Sequence, residues 1–148
     1  MIRPATRGEA PALAALVVRA YAPWKALTGA PPLPMQDDYA ARCAAGQAFV
    51  LIADRALAGL IVLEDFPDHL WIDNVAVDPA RAGKGLGRTL MGFAEAEARR
   101  RFLPELRLLT NALMARNIAL YARLGFTETA RRVEKGRARV YMARALSG

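Results

Sequence analysis

From Val75 to Leu90 the chain leaves an apolar strand through Asp78-Pro79, crosses Gly83-Lys84-Gly85-Leu86-Gly87 and enters a helix, and this passage constrains the fold more than any other stretch. A helix start leaves about four backbone N–H groups without intrahelical partners and carries a partial positive charge, so it can hold an anion. Alternate glycines keep Cβ atoms out of the approach and permit positive φ. The two familiar phosphate loops do not fit. A Walker loop needs Lys-Ser or Lys-Thr after its last glycine, and Gly87 is followed by Arg88-Thr89. The dinucleotide fingerprint needs G-x-G-x-x-G, whereas the spacing here is G-x-G-x-G.

The flanking periodicities predict the rest of the fold. Ile2-Arg3-Pro4-Ala5 reads as a short strand, and Thr6 or Gly8 opens a helix with Leu13, Leu16, Val17 and Ala20 on one face. Pro23 to Pro34 holds four prolines and Gly29 and reads as an irregular loop. Asp37 and Asp38 are caps for a short second helix ending near Gly46. Ala48 to Ala53 and Leu57 to Leu63 form a hairpin pattern around Asp54-Arg55, and a third strand spans His69 to Val77. A helix from Leu86 to Phe102 buries Leu86, Leu90, Phe93, Ala94 and Ala98, with Glu95–Arg99 and Glu97–Arg101 pairs on its wet side. Then follow a strand from Leu106 to Thr110, a helix from Met114 to Leu124 stopped by Gly125, and two strands, near Phe126–Val133 and Arg137–Leu146, joined at Gly136. The order β-αα-βββ-α-β-α-ββ predicts one α/β domain over residues 1–148, with about seven strands in a mixed, mostly antiparallel sheet and four helices. One domain is what 148 residues ordinarily make.

Scarce residues exclude whole chemistries. Ser147 is the only serine, so a serine triad is not available. With Cys43 and His69 each alone of their type, no intrachain disulfide forms and no metal site is expected. The chemistry must run on carboxylates, tyrosines, backbone amides or a borrowed cofactor. The net charge of +7 favours an anionic partner, although arginines are spread through the whole chain. No RNA-binding or helix-turn-helix pattern accompanies that charge, so no specific nucleic-acid partner is expected. Neither a secretory h-region nor an apolar run of ~18 residues appears, and an unpaired cysteine suits a reducing compartment, so the expectation is a cytoplasmic protein off the membrane.

Three motifs in order carry a resemblance: Val75-Ala76-Val77-Asp78-Pro79, Gly83-Lys84-Gly85-Leu86-Gly87, and Asn117-x-x-x-Tyr121-x-x-x-Gly125-Phe126. From Leu70 to Phe126 the chain resembles the core of the GNAT superfamily of acetyl-CoA-dependent N-acetyltransferases, and the outer strands fit more loosely. The resemblance implies a GNAT-like fold and acetyl transfer from acetyl-CoA to a primary amine of a small molecule or protein. A non-catalytic acetyl-CoA- or CoA-binding regulatory module on the same fold is the alternative, and a homodimer is allowed for.

The resemblance also implies roles. Ala82, Gly83, Lys84, Gly85, Leu86 and Gly87 form the pyrophosphate loop, with Arg88 and Thr89 adding N–H groups. Val75, Ala76 and Val77 pair with the pantetheine arm, and an N–H there polarises the thioester carbonyl. Asn117 hydrogen-bonds the arm, and Tyr121 gives a proton to the departing thiolate. Two departures stand out. Ala82 occupies a place where relatives carry Gln or Arg, for which Arg81 is a substitute from a different direction. Trp71 occupies the place of a frequent Glu, which leaves Asp73, Glu64 or water to accept the amine's proton. Trp24, Tyr39, Phe66 and Trp71 are candidate walls of an acceptor pocket, with core packing as the alternative.

Overall fold

The computed structural model describes residues 1–28 and 33–146. Among these, the strands form one sheet in the order β1-β2-β3-β4-β5-β7-β6. They are β1 (Ile2–Pro4), β2 (Ala48–Ala53), β3 (Ala56–Phe66), β4 (His69–Val77), β5 (Glu105–Asn111), β6 (Thr127–Glu134) and β7 (Arg137–Ala145). The helices are α1 (Ala10–Thr28), α2 (Tyr39–Ala44), α3 (Leu86–Arg100) and α4 (Ala115–Arg123). All neighbouring strands are antiparallel except β4 and β5, which are parallel. The expected element order and the mixed, mostly antiparallel sheet are both present.

The sheet is covered on both faces, which is why β2 and β3 read as unbroken apolar runs. Val50, Leu60 and Val62 pack with Leu13, Leu16 and Val17 of α1 and with Tyr39 and Cys43 of α2. Phe49, Leu51, Ile61 and Leu63 pack on the other face with Leu90, Ala94 and Ala98 of α3. Each such leucine contributes roughly 1.5–3 kcal/mol by leaving water. On α3, Leu90, Ala94 and Ala98 are buried as predicted and Met91 is buried too, whereas Leu86 and Phe93 are only partly buried. Both expected ion pairs of α3 form, Glu97–Arg101 at 2.8 Å and Glu95–Arg99 at 3.9 Å. Gly59 permits β3 to lie close to β4, since a Cβ there would stand 2.9 Å from the Ala76 carbonyl oxygen.

The expected boundaries differ most at the end of α1, while β3 also runs three residues past Leu63, to Phe66, and α3 stops at Arg100 rather than Phe102. The loop predicted from Pro23 begins later, because α1 continues to Thr28 with Pro23 inside it. Proline removes one helical hydrogen bond, but tertiary ties hold the preceding turn on the sheet. The Tyr21 hydroxyl bonds Asn74 of β4 at 2.6 Å, and Arg19 reaches Asp78 at 3.5 Å. Residues 29–32 of the predicted loop lie outside the described residues, and Leu33–Gln36 forms a single 3-10 turn. Asp38 caps α2 as expected, accepting the Ala41 N–H at 3.1 Å.

Candidate active site

A bulge in β4 and a fork beside it shape the site. Val62 of β3 pairs with Asn74, but the next residue, Leu63, pairs with Ile72, so Asp73 is an extra residue. A bulge of this kind turns the strand. Before it, Leu70 and Ile72 face the α3 side; after it, Asn74 bonds tyrosines of α1 and α2, and Ala76 joins their core. On its other edge β4 pairs with β5 only at Leu70↔Leu106 and Trp71↔Arg107. Past Trp71 the two strands part around a cavity of about 450 Å³, with Asp73, Asn74 and Val75 on one wall and residues 108–111 on the other. The opposite edge of β4 stays paired through Ile61↔Val75, Leu60↔Ala76 and Gly59↔Val77. The edge facing the fork therefore offers backbone groups that an extended chain can pair with, as in strand addition.

A second hollow, of about 310 Å³, continues along β4. Val75 walls the first and Val77 the second; on α4, Tyr121 walls the first and Leu120 the second. The second hollow is the glycine loop itself, lined by Ala82, Gly83, Gly85, Leu86, Gly87 and Arg88 together with Arg81. Gly83 and Gly85 have φ of +79° and +75°, the left-handed region that favours glycine. Gly85 is the N-cap of α3, so the first N–H groups of that helix have no helical acceptor. Thr89 is already engaged, since its N–H and its hydroxyl both reach the Gly85 carbonyl, at 3.0 and 3.1 Å. Lys84 stands exposed.

Arg81 donates to Asp54 at 3.0 Å, fastening the β2–β3 turn to the loop. Arg131, by contrast, lies exposed on β6 and pairs with Glu128 at 2.9 Å. Arg81→Ala is expected to weaken acetyl-CoA binding about 3–10-fold, the loss of one partly exposed charge-assisted contact, while Arg131→Ala changes it by less than about 2-fold. Calorimetric titration of the two variants checks this. Equal losses would reduce Arg81 to a part of the general positive field.

The fork gathers titratable groups from five elements. Asp73 accepts from Trp71 Nε1 at 3.1 Å and from Arg42 Nη2 at 3.0 Å. Burial raises the Asp73 carboxyl above its ordinary value, against the Trp71 hydrogen bond and the Arg42 charge; Glu64 and Asp37 push it the same way as burial. Glu64 is held by Arg42 Nη1 at 2.7 Å and is not on the cavity wall. Tyr121 lines the cavity with its ring 5.9 Å from that of Phe126, and burial pushes its phenol up to about 12. Asn117 is on the same wall, its amide 3.6 Å from the Met114 sulfur. Of the four aromatic candidates only Trp71 lines the cavity. Tyr39 is core, with its hydroxyl donated to the Pro34 carbonyl at 2.6 Å. Phe66 is stacked on His69 outside.

Several residues here were missed in the sequence. Arg42 was one arginine among many, and no spacing marked it. Tyr21 follows Val17 at i+4 and packs at the margin of the same core, and its hydroxyl bonds both Asn74 and the Val75 carbonyl, at 2.6 and 3.2 Å. Asn74, buried at 3% exposure, gives its amide to the Tyr39 hydroxyl at 3.0 Å. A polar residue at a buried phase of an apolar strand was the one signal available for it.

A sheet that parts between two parallel strands, with a glycine-capped helix start at the end of the gap, defines an open-cleft α/β fold of the acetyltransferase type. The chain belongs to the acetyltransferase (GNAT) family, whose model matches residues 14–126. It is 37% identical over 78 residues to the alanine N-acetyltransferase of ribosomal protein bS18 from Salmonella typhimurium. That match covers 53% of each chain, so it spans about half the length of the curated relative. The solved ribosomal-protein-S18-alanine N-acetyltransferase from Escherichia coli superposes with a TM-score of 0.79 at 25% identity, covering 100% of this chain and 96% of that one. The PaiA N-acetyltransferase of Thermoplasma acidophilum, solved in complex with coenzyme A, superposes with a TM-score of 0.84 over 99% and 98% of the chains, and at 17% identity it shows the shared fold. The resemblance carried by the three motifs is thereby borne out.

Proposed function

We propose that the chain is an acetyl-CoA-dependent N-acetyltransferase, one catalytic domain over residues 1–148, acting on a primary amine by direct attack on the thioester. The observation that carries this reading is the placement of two neighbouring hollows along β4. One lies at the glycine-capped start of α3, and the other is the fork in which Asp73 and Tyr121 share one cavity. The groups present suit coenzyme A. The start of α3 offers N–H groups to the diphosphate, the fork-facing edge of residues 75–77 pairs with the amide-bearing arm, and Asn117 adds a side-chain amide.

The acidic cluster around Arg42 is where an amine would be received. Asp37 and Asp73 line the cavity beside Arg42, with Glu64 behind it, so three carboxylates share one cation there, while Arg137 and Arg139 line the cavity from β7. Asp73 accepts a proton from the ammonium, and the freed nitrogen lone pair forms the N–C bond to the acetyl carbonyl carbon. A β4 N–H steadies the carbonyl oxygen. As the C–S bond breaks, the Tyr121 hydroxyl gives its proton to the sulfur, and the second proton shed by the acylated nitrogen restores the phenol through solvent, so that ammonium and thioester yield amide, thiol and one released proton. Asp73 lines the cavity and Glu64 does not, so Asp73 is the proton acceptor of choice. The likeness to enzymes named for acetylating a ribosomal-protein alanine makes a protein α-amine the first acceptor to try. No helix among the described residues is long and apolar enough to cross a membrane, and we place the reaction in the cytoplasm, where the unpaired Cys43 suits a reducing environment.

The test is binding followed by turnover. Acetyl-CoA is expected to raise the melting temperature progressively, with about 2.7 kcal/mol of added stability at 100 times its dissociation constant. A panel of peptides and small amines, followed by CoA thiol release, then identifies the acceptor. Absence of both heat and thermal shift at millimolar acetyl-CoA overturns the reading. Tight binding with no turnover on any amine would favour the non-catalytic module.

A further inference from the structure

The Arg42 guanidinium reaches four side chains from four separate places in the chain. Its Nε donates to Asp37 at 2.8 Å, just before α2. Its Nη1 donates to Gln47 at 2.9 Å and to Glu64 of β3 at 2.7 Å, and its Nη2 to Asp73 at 3.0 Å. Four of the five N–H donors of a guanidinium are thus committed. The side chain is only 18% exposed, and the three carboxylate partners are between 21% and 29% exposed. The cluster is screened from solvent on a cavity wall, where charge interactions are stronger than on an open surface. Arg42 is also the link between the acceptor-side segment ahead of α2 and the one residue of β4 that the bulge leaves without a partner on β3.

From this geometry we infer that Arg42 is a positioning residue for the transfer step: it aims the Asp73 carboxylate into the fork and sets the pH at which that carboxylate can take a proton. The inference rests on the acetyl-transfer reading for its function but not for its test. Asp73 cannot take this pose alone. Trp71 Nε1 fixes one of its oxygens and Arg42 fixes the other, so two donors from different elements define the plane of the carboxylate. Electrically, Arg42 is opposed. Glu64 and Asp37 repel a charge on Asp73, and burial disfavours it as well. Tyr21 of α1 and Tyr39 of α2 also face the carboxylate, but burial raises both phenols, so they stay neutral in the working range. Arg137 and Arg139 of β7 line the same cavity. Arg42 is thus the cation hydrogen-bonded to Asp73, shared with two competing acids.

The signs follow. Removing Arg42's charge raises the proton affinity of Asp73, so its titration moves to higher pH. Removing Glu64's charge deletes a repulsion and a competitor for Arg42, so the titration moves to lower pH. Charges at this separation shift a carboxyl by about one pH unit or more. The experiment is carbon-13 NMR titration of the Asp73 side-chain carboxyl in the full chain, assigned by its disappearance in Asp73→Asn. Arg42→Gln is expected to move the midpoint up by about one pH unit, Glu64→Gln to move it down by about half a unit to one unit, and Arg42→Lys to restore part of the Arg42→Gln change. Opposite signs cannot come from a purely structural role, which predicts similar disturbance from either variant. Glu64→Gln replaces only a charge and keeps its hydrogen-bonding length, so it tests the inference even if Arg42→Gln does not fold. Shifts of the same sign, or a midpoint in Glu64→Gln that does not move, overturn it. The titration uses neither cofactor nor acceptor, so failure of the acetyl-transfer reading shows separately, in the absence of acetyl-CoA binding.

Discussion

Tyr121→Phe is expected to bind acetyl-CoA within about 3-fold of the parent and to lose roughly 10–10³-fold in turnover. Burial pushes the phenol up to about 12, so the hydroxyl is protonated through the whole neutral range and acts as a donor, not as a base. A thiol ordinarily titrates near ~8.5, which makes full proton transfer from such a phenol to a free thiolate uphill in water. Burial beside Tyr121 narrows that gap, because it disfavours thiolate as well as phenolate. The larger contribution is therefore the hydrogen bond that strengthens as the sulfur becomes negative. A hydrogen bond to a charged group is worth about 1.5–3 kcal/mol, or roughly 10–150-fold, and accompanying proton transfer extends the range upward. The effect belongs in kcat, since the sulfur carries little charge before the C–S bond breaks. Phenylalanine keeps the ring, and with it the contact on Phe126, so the melting temperature should hold within about 2 °C. Undiminished turnover would remove Tyr121 from the chemistry and leave water as the donor. A large loss of stability would instead assign it to packing.

The parts of this site that were legible in the sequence are those specified by local rules. The glycine spacing, the strand ending at Val77 and the helix carrying Asn117 and Tyr121 depend on periodicity and backbone freedom, which a single segment reveals. The bulge at Asp73 does not. It is a mismatch between β3 and β4, visible only once Val62 meets Asn74 and Leu63 meets Ile72. Without it, one face of β4 would read continuously from Leu70 to Ala76, and Asn74 would point at the wrong helices. Arg42 was illegible for a related reason. Its four partners span positions 37 to 73, and an arginine in an arginine-rich chain carries no mark of such an arrangement. The extension of α1 through Pro23 shows tertiary contacts overriding a local breaker, with Tyr21 and Arg19 fixing the turn ahead of it.

Gly85→Asp is expected to weaken acetyl-CoA binding by on the order of 100-fold or more and to abolish the thermal shift at ordinary cofactor concentrations. The backbone argument alone would not give so large an effect. Gly85 has φ +75° and ψ +15°, a conformation that Asp and Asn adopt more readily than other residues with a Cβ. Its Cβ would also meet no heavy atom within 4 Å. Space is therefore available inside the folded chain, and the substitution acts through what that space is for. At the N-cap of α3 a carboxylate takes the position favoured for an anion and competes with the diphosphate for the same N–H groups. It also repels the diphosphate, since two like charges ~4 Å apart interact by about 4 kcal/mol at an effective dielectric of 20. Partial exposure and salt reduce that, which sets the expectation nearer 100-fold than 1,000-fold. Gly85→Asn separates the causes, because it has nearly the same shape and the same tolerance of positive φ without the charge. It should lose no more than about 10-fold, and the Asp variant alone should grow worse as ionic strength falls. The Asp variant should itself be no less stable than Asn without ligand, because an acidic N-cap favours the helix. Calorimetric titration of both variants at two salt concentrations decides it. Equal losses in Asp and Asn, insensitive to salt, would move the anion's seat away from the start of α3.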